Sequence, residues 1–212
     1  MNVNLIDVMG TDLSVVNAAR VSFAKVSNEL SDKDEKLINY LAKHNHWSPF
    51  GHASLQFRIK APIFVARQLV KHQVGLVWNE VSRRYVDDEV EFYVPEDWRG
   101  APENSKQGSS SEVIDINPYN RMIDDYQSVC KTAKWTYEYL LGKGVAPEQA
   151  RMVLPQSMMT EWYWSGTLMA FARVCNLRCK PDTQLETQVV ANQIDEIGEE
   201  CFPVSWKALR DG

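Results

Sequence analysis

The side chains best suited to chemistry in this sequence lie close together between residues 67 and 85. This segment has one acidic residue, Glu80, and the following basic residues: Arg67, Lys71, His72, Arg83 and Arg84. No Asp or Glu occurs between Ala53 and Asn79, although the whole chain has 28 acidic residues against 23 Lys and Arg. Guanidinium and amide groups suit phosphate and carboxylate oxygens, which favours an anionic ligand. The alternative is a solvated helix face that runs into a strand, and charge alone leaves both interpretations open.

Length and composition are those of an ordinary soluble domain. The 212 residues are 44% hydrophobic and 24% charged, which allows one large domain whose core needs no disulfides. No apolar run is long enough to cross a bilayer, and the N-terminal residues lack the features of a signal peptide. We therefore expect a cytoplasmic protein without membrane contact. The net charge of −5 argues against broad binding to nucleic acid.

The four cysteines are scattered and fit a reducing compartment. Cys175 and Cys179 lie one helical turn apart, but no nearby His or further Cys completes a metal-binding set. We therefore expect small buried thiols and no metal.

Hydrophobic periodicity predicts the elements that position the basic segment. Strands are expected at residues 3–8, 54–60, 91–94 and 160–164. Helices are expected from about residue 12, from Ser31, and at residues 62–73, 118–142, 147–153, 168–178 and 183–200. The sum is a single domain over residues 1–212 with an α+β fold, a small, mainly antiparallel sheet with several packed helices. The polar segment at about 99–117 is expected to be a mobile surface loop.

One predicted helix and one predicted loop add to the candidate site. On helix 62–73, Arg67 and Lys71 are four residues apart and Gln68 adjoins them, so one face carries two cations and an amide. The polar and aromatic loop at 45–52 holds two of the four histidines, His46 and His52. A loop histidine is usually just solvated, but two of them before a basic segment favour a site.

The basic segment resembles the signature of flavin-dependent thymidylate synthases. That signature is Arg-His-Arg, seven residues and Ser, within RQ-x-x-RHR…NE-x-S-x-RY. The corresponding residues here are Arg67, Gln68, Lys71, His72, Gln73, Asn79, Glu80, Ser82, Arg84 and Tyr85. Further matches are AARVS at 18–22, HWSPFGH at 46–52, APIFVARQ at 61–68, ARMVLP at 150–155, NLR at 176–178, and Gln184 with Glu186. The resemblance covers most of the chain outside residues 99–117.

The resemblance implies reductive methylation of dUMP to dTMP, with methylenetetrahydrofolate as the one-carbon donor. It also implies that FAD is reduced by NADPH and supplies the hydride, and that no cysteine attacks the uracil. Members of the family are homotetramers whose sites are built at subunit interfaces. All of these ligands are anionic, and a segment nearly free of carboxylates suits them.

The resemblance assigns roles to individual side chains. Arg178 matches the arginine that contacts the uracil and favours ionisation of its N3, so it is the candidate catalytic residue. The candidate dUMP-binding residues are Gln68, Lys71, Glu80, Ser82, Arg83, Arg84, Arg151 and Arg178. The candidate FAD-binding residues are His46, Ser48, Lys71, His72, Gln73, Glu80 and Arg173. Tyr85 is a candidate for stacking on the flavin or folate ring, although aromatic residues at such positions are more often core.

Two of these roles have plainer alternatives. Without the resemblance, an ion pair between Arg178 and Glu186 or another acid is the favoured interpretation. Ser82 has the hydroxyl of a nucleophile, but the sequence shows no base beside it, and substrate binding is the better interpretation.

Several positions depart from the family pattern. Lys71 and Gln73 replace arginines, Thr167 stands where Asn is frequent, and Met169 stands where Arg is common. The spacer between Gln73 and Ser82 is also one residue longer. Arg173 is expected to restore the missing charge. These departures motivate an alternative function, a nucleotide-binding family member with lost or weakened flavin chemistry. A nucleic-acid-binding regulatory module is a further alternative, which the negative net charge opposes.

Overall fold

The computed structural model describes residues 1–85, 89–102, 108–110, 112–114 and 121–211. These residues form a four-stranded antiparallel sheet in the order β1-β2-β4-β3, with helices packed against it. The strands are β1 (Asn2–Met9), β2 (Ser54–Pro62), β3 (Leu76–Glu80) and β4 (Met159–Thr167). The helices are α1 (Asp12–Arg20), α2 (Asp32–Lys43), α3 (Ile63–Leu69), α4 (Met122–Gly142), α5 (Pro147–Ala150), α6 (Leu168–Arg178), α7 (Leu185–Cys201) and α8 (Pro203–Arg210). The predicted α+β class is confirmed.

The inner face of the sheet forms the main core. Leu55, Phe57 and Ile59 alternate along β2 and are all buried, as the period of two predicts. In the paired strand β4, Trp164 lies opposite Phe57 and Trp162 lies opposite Ile59. These side chains pack with the buried residues of α6, α7 and α8 in one cluster. The sheet is therefore a rigid base from which the ends of β2, β3 and β4 reach the surface.

Two capped helices hold the loop at 45–52. Ser31 begins α2 with a capping box, in which its backbone N–H donates to Asp34 at 3.0 Å. Arg20, the last residue of α1, forms an ion pair with Asp34, which joins the two helices. The hydrogen bonds from Ser31 are the main reason that the pKa of the Asp34 carboxyl lies below its usual value. The loop contains a 3-10 turn over Ser48–His52, and its Pro49 and Phe50 are buried.

The predicted helix at 62–73 is shorter in the structure, and its remainder turns back into the sheet. Pro62 ends β2, α3 stops at Leu69, and β3 begins at Leu76. Gly75 has a φ of +77°, the left-handed region that suits glycine, and its carbonyl accepts a hydrogen bond from the Thr167 N–H at 3.1 Å. This turn explains the difference, because it reverses the chain so that Leu76–Glu80 can pair with β4.

Two further predictions about the elements are wrong. Residues 91–94 do not form a strand but a single bridge between Phe92 and Met158, since the chain leaves the sheet edge before Pro95. The helix predicted at 183–200 is not the last one, because α8 follows it. The carboxylate of Asp12 accepts hydrogen bonds from the backbone N–H groups of Val204 at 3.0 Å and Ser205 at 2.8 Å, which caps α8.

The predicted loop at 99–117 is described only in part. Arg99 and Val113 form an antiparallel bridge, and the Gly100 N–H donates to the Glu112 carbonyl at 3.0 Å. Residues 103–107, 111 and 115–120 lie outside the described residues, as does the start of the helix predicted at 118. The mobility of this loop stays a prediction. None of the helices in the described ranges combines the length and the hydrophobicity that a membrane span requires.

Candidate active site

Arg178 and His72 form the central contact of the candidate site. Arg178 is the last residue of α6, and His72 lies in the turn that follows α3. The Nε of Arg178 donates a hydrogen bond to Nε2 of His72 at 3.0 Å. Burial and, secondly, the charge of Arg178 hold the pKa of His72 below its usual value. His72 is therefore a neutral acceptor that carries its proton on Nδ1, and Arg178 keeps the positive charge.

The alternative partner of Arg178 is occupied elsewhere. Glu186, near the start of α7, accepts a hydrogen bond from Arg99 at 2.6 Å, and only 11% of its side chain is exposed. No carboxylate in the described ranges lies within ion-pair distance of Arg178. The ion pair expected in the absence of the resemblance is therefore wrong. The remaining described contacts leave the two terminal nitrogens of Arg178 for a ligand.

The motif residues beside Arg178 have a structural role. Asn176 donates a hydrogen bond to the Leu209 carbonyl at 3.0 Å and accepts one from Arg210. Arg210 in turn forms an ion pair with Asp195 of α7 at 2.7 Å. In the NLR motif, the asparagine therefore fixes α6 against α7 and α8, and the arginine faces His72.

Gln68 reaches the same region from α3. Its Oε1 accepts a hydrogen bond from the hydroxyl of Thr187, a residue of α7 with no exposed surface. Gln68 is half-buried. Gln68 on α3 thus meets α7, and His72 in the turn after α3 meets the C-terminal end of α6.

A second group of predicted residues surrounds a cavity on the other side of the sheet. Glu80, Arg83 and Arg151 line this cavity, whose volume is about 590 Å³. The Oε1 of Glu80 accepts a hydrogen bond from the Thr160 hydroxyl at 2.8 Å, and its Oε2 accepts one from Trp78 Nε1 at 3.3 Å. These bonds anchor the carboxylate at the end of β3. We call this space the sheet cavity.

Sequence reasoning missed the other charged residues of the sheet cavity. Arg58 pairs with Glu161 at 2.8 Å, and Lys60 pairs with Glu91 at 2.7 Å. Glu148 also lines the cavity. The alternation that placed Leu55, Phe57 and Ile59 in the core also puts Arg58 and Lys60 on the outer face. This pattern predicts that the two side chains are exposed, but it does not indicate that they line a cavity.

Ser82, Arg84 and Tyr85 form a local cluster after β3. The Arg84 side chain donates from Nε to the Ser82 hydroxyl oxygen at 3.3 Å, and its guanidinium lies 5.0 Å from the centre of the Tyr85 ring. The hydrogen bonds to the Ser82 hydroxyl within the described residues come from Arg84. Among the described residues, these contacts place no base beside the Ser82 hydroxyl. Tyr85 is 77% exposed, so it is not a core residue.

His46 and Ser48 lie at a third location. Both line a cavity of about 930 Å³ between α1, α2 and the loop at 45–52, which we call the helical cavity. The rings of Tyr40 and His46 are 6.0 Å apart, and Trp47 is 62% exposed. The helical cavity shares no lining residue with the sheet cavity, and neither is lined by His72 or Arg178.

The remaining predicted residues have no described contact that links them to these groups. Lys71 and Gln73 are exposed in the turn around His72, and Arg173 is exposed on α6. Thr167 caps α6, because its hydroxyl accepts a hydrogen bond from the Ala170 N–H at 3.2 Å. Met169 packs against the main core. The flavin roles of Lys71, Gln73 and Arg173 stay predictions.

The thiols of the chain stand apart from these groups. Cys130 and Cys175 are buried, Cys179 and Cys201 are partly buried, and all four are free. Burial raises the pKa of the Cys175 thiol, and a hydrogen bond from Cys175 lowers that of Cys179. In the part of the chain that the structure describes, no three His, Cys, Asp or Glu side chains are grouped to hold a metal ion.

Comparison with known proteins gives the class of this fold and site. The family model described as "Thymidylate synthase complementing protein" matches residues 4–204. The flavin-dependent thymidylate synthase of Thermus thermophilus is 40% identical over 209 residues, covering 99% of this chain and 75% of the relative. That of Kosmotoga olearia is 40% identical over 211 residues, covering 98% and 89%. The chain therefore belongs to the family of flavin-dependent thymidylate synthases, as the resemblance predicted.

A solved structure of a related enzyme has the same fold. The UMP/dUMP methylase PolB from Streptomyces cacaoi, bound with 5-Br dUMP, superposes with a TM-score of 0.85 at 32% identity. The match covers 99% of this chain and 94% of that one. A second structure of PolB, bound with 5-Br UMP, superposes with a TM-score of 0.84.

Proposed function

We propose that this chain converts dUMP to dTMP by reductive methylation, with methylenetetrahydrofolate as one-carbon donor and FAD, reduced by NADPH, as hydride source. Family membership supports the flavin and the methyl transfer. The similarity to a methylase that binds 5-Br dUMP supports a pyrimidine monophosphate as substrate. Both the nucleotide and the flavin cofactor of the proposed reaction are anionic, which fits the basic segment of an otherwise acidic chain.

The contact between Arg178 and His72 carries this proposal. Because Nε of Arg178 is engaged by His72, the guanidinium plane is held in one orientation and its terminal N–H groups point away from that contact. A fixed cation beside the uracil stabilises the N3 anion and so lowers the cost of activating the ring. Neutral His72 adds no competing charge. Activation of this kind needs no covalent nucleophile, and Cys175, the thiol one turn before Arg178, is fully buried.

The helical cavity has a lining that fits a flavin nucleotide. It combines rings for stacking, from Tyr40 and Trp47, with polar groups from His46 and Ser48 and the cationic side chain of Lys25. Aromatic faces suit a flat heterocycle, and a lysine suits a pyrophosphate. We therefore assign His46 and Ser48 to the FAD. The bound flavin supplies the redox chemistry, and these residues orient it.

We further propose that the enzyme is a homotetramer whose sites are completed by neighbouring subunits. In one chain the predicted residues fall into separate places: the Arg178 contact, the sheet cavity and the helical cavity. Exposed apolar side chains adjoin the helical cavity, where Phe23 is 75% and Val21 72% exposed. Such surfaces are typical of subunit contacts. We expect the protein to reside in the cytoplasm.

Absorbance and activity test the proposal together. The purified protein is expected to be yellow, with a flavin band that NADPH bleaches, and to release tritium from dUMP labelled at C5 only when the folate is present. Parallel assays with UMP establish whether the ribonucleotide is also a substrate. A colourless protein that cannot be reconstituted with FAD would instead indicate the alternative function, a nucleotide-binding member that has lost flavin chemistry. Binding of nucleic acid in place of dUMP would indicate the regulatory module.

The Arg178→Ala variant tests the assigned catalytic role. We expect it to abolish turnover while the flavin spectrum and the melting temperature stay close to those of the parent. Arg121→Ala is the matched control, because Arg121 is exposed and pairs only weakly with Asp125 at 3.7 Å. Near-normal turnover of Arg178→Ala would refute the role of Arg178.

A further inference from the structure

We infer that Thr187 is a positioning residue that fixes the amide of Gln68 so that its nitrogen is offered to the nucleotide. The inference rests on the proposed function, in which Gln68 binds dUMP. Thr187 is the third residue of α7, and its side chain has no exposed surface. Its hydroxyl donates a hydrogen bond to Oε1 of Gln68.

The direction of this hydrogen bond determines which end of the Gln68 amide faces a ligand. A glutamine amide has an oxygen that accepts and a nitrogen that donates, and either end can face a ligand. Here the oxygen accepts from a buried hydroxyl, and a turned-over amide could donate to that hydroxyl oxygen but would leave the hydroxyl hydrogen without its Gln68 acceptor. The Nε2 end, with its two hydrogens, is the end that remains.

The surroundings of Thr187 preserve this arrangement. Glu186 directly precedes Thr187, and its carboxylate is a possible acceptor for the amide hydrogens of Gln68. That carboxylate instead accepts a hydrogen bond from Arg99 at 2.6 Å. The packing of α3 on α7 joins the two residues although they are 119 positions apart. The structure therefore provides a donor amide held from α7, four residues before His72 of the Arg178 contact.

A fixed donor selects for acceptors. The oxygen atoms of a phosphate group and the ring carbonyls of uracil both accept hydrogen bonds, so Gln68 is suited to either part of a uridine monophosphate. With the amide turned over, its oxygen would face those same oxygens and repel them. Thr187 thereby sets the polarity of the contact without touching the nucleotide.

Two variants of Thr187 test this role. Thr187→Val keeps the shape and removes the hydroxyl, and Thr187→Ser keeps the hydroxyl. Titration of the flavin-loaded protein with dUMP is expected to show affinity weakened about fivefold in Thr187→Val, the size of one lost hydrogen bond. Thr187→Ser is expected to stay within about twofold of the parent on the same scale. Equal affinity of Thr187→Val and the parent, or equal weakening by Ser and Val, overturns the inference.

A Gln68→Met background separates positioning from a merely structural effect. If Thr187 acts through Gln68, Thr187→Val has no further effect on dUMP affinity once Gln68 is Met. An undiminished effect of Thr187→Val in that background overturns the inference, because the loss would then come from packing. If Gln68→Met itself leaves dUMP affinity unchanged, the proposed dUMP contact of Gln68 fails and the inference falls with it. If Gln68→Met weakens dUMP and Thr187→Val does not, the inference fails alone.

Discussion

We expect the hydrogen bond from Arg178 to His72 to make nucleotide binding sensitive to pH. His72 can accept this bond only when it is neutral, and burial, together with the charge of Arg178, already lowers its pKa. An ordinary histidine titrates near about 6.5. His72 therefore gains its proton at a lower pH than an ordinary histidine does. Protonation removes the acceptor and places two cations against each other.

The structure sets the size of this effect. A hydrogen bond with one charged partner contributes roughly 1.5–3 kcal/mol, and the partial exposure of both side chains places this one at the lower end. At the observed separation of 3.0 Å, the repulsion between two unit charges is about 1.4 kcal/mol even at the dielectric constant of water. Either contribution alone suffices to displace the guanidinium. We therefore expect dUMP affinity to fall about tenfold when His72 is protonated.

The assay compares the parent with His72→Gln between about pH 5 and pH 8. Glutamine supplies an acceptor that does not titrate, so the variant is expected to lose the part of the acid fall in dUMP affinity that comes from His72. The part that comes from protonation of the dUMP phosphate, whose second pKa is about 6, remains in both proteins. Flavin absorbance, read in every sample, separates this from loss of flavin. His52→Gln is the control, because His52 is exposed and is expected to leave the fall intact. Persistence of the full acid fall in His72→Gln would refute the reasoning.

The same lowered pKa has a consequence for stability, with a definite sign. The unfolded chain binds a proton to His72 at a higher pH than the folded chain does, so the free energy of unfolding rises with pH between the two values. The contribution is complete above about 6.5 and is lost as pH falls toward the pKa of the folded state.

Two further predictions concern stability, measured by urea unfolding. A Cβ at Gly198 would lie 2.5 Å from the ring of buried Trp206, so Gly198→Ala is expected to lower the free energy of unfolding by about 1–3 kcal/mol. Among the described residues, a Cβ at Gly142 would have no neighbour within 4 Å apart from the adjoining backbone, so Gly142→Ala is expected to be neutral or slightly stabilising. Arg99→Met leaves Glu186 unpaired at 11% exposure and is expected to cost roughly 3 kcal/mol, part of which Arg99→Met/Glu186→Gln recovers. A loss in Gly142→Ala as large as that in Gly198→Ala, or a neutral Arg99→Met, contradicts these expectations.

The elements that sequence reasoning found are those whose signals are local. Strand β2 alternates apolar and polar residues, and α2 carries its own cap at Ser31, so both could be read from a few neighbouring residues. Helix α8 could not, because its cap is Asp12, 192 positions from Val204. Strand β3 could not be predicted from neighbouring residues either. Its start depends on the positive φ of Gly75 and on pairing with β4, and neither is visible in the hydrophobic pattern.

The same limit applies to the candidate site. The family motifs named Arg178, His72 and Gln68, but not how they contact one another. The Arg178 contact spans 106 positions, and Thr187 carries no motif of its own. Residue identity was therefore accessible from sequence, whereas the direction of each hydrogen bond required the packing of α3, α6 and α7.

The turn at Gly75 explains why residues of one basic segment lie both at the Arg178 contact and at the sheet cavity. Before the turn, Gln68 and His72 face α6 and α7, where they meet Thr187 and Arg178. After it, β3 runs along the edge of the sheet beside β4, and Glu80 lines the sheet cavity. A single dUMP cannot be held by both groups of one chain unless they lie within the length of a nucleotide. The two cavities share no lining residue with each other or with the Arg178 contact. In the proposed homotetramer, we expect one site to combine the first group of one subunit with the second group of another.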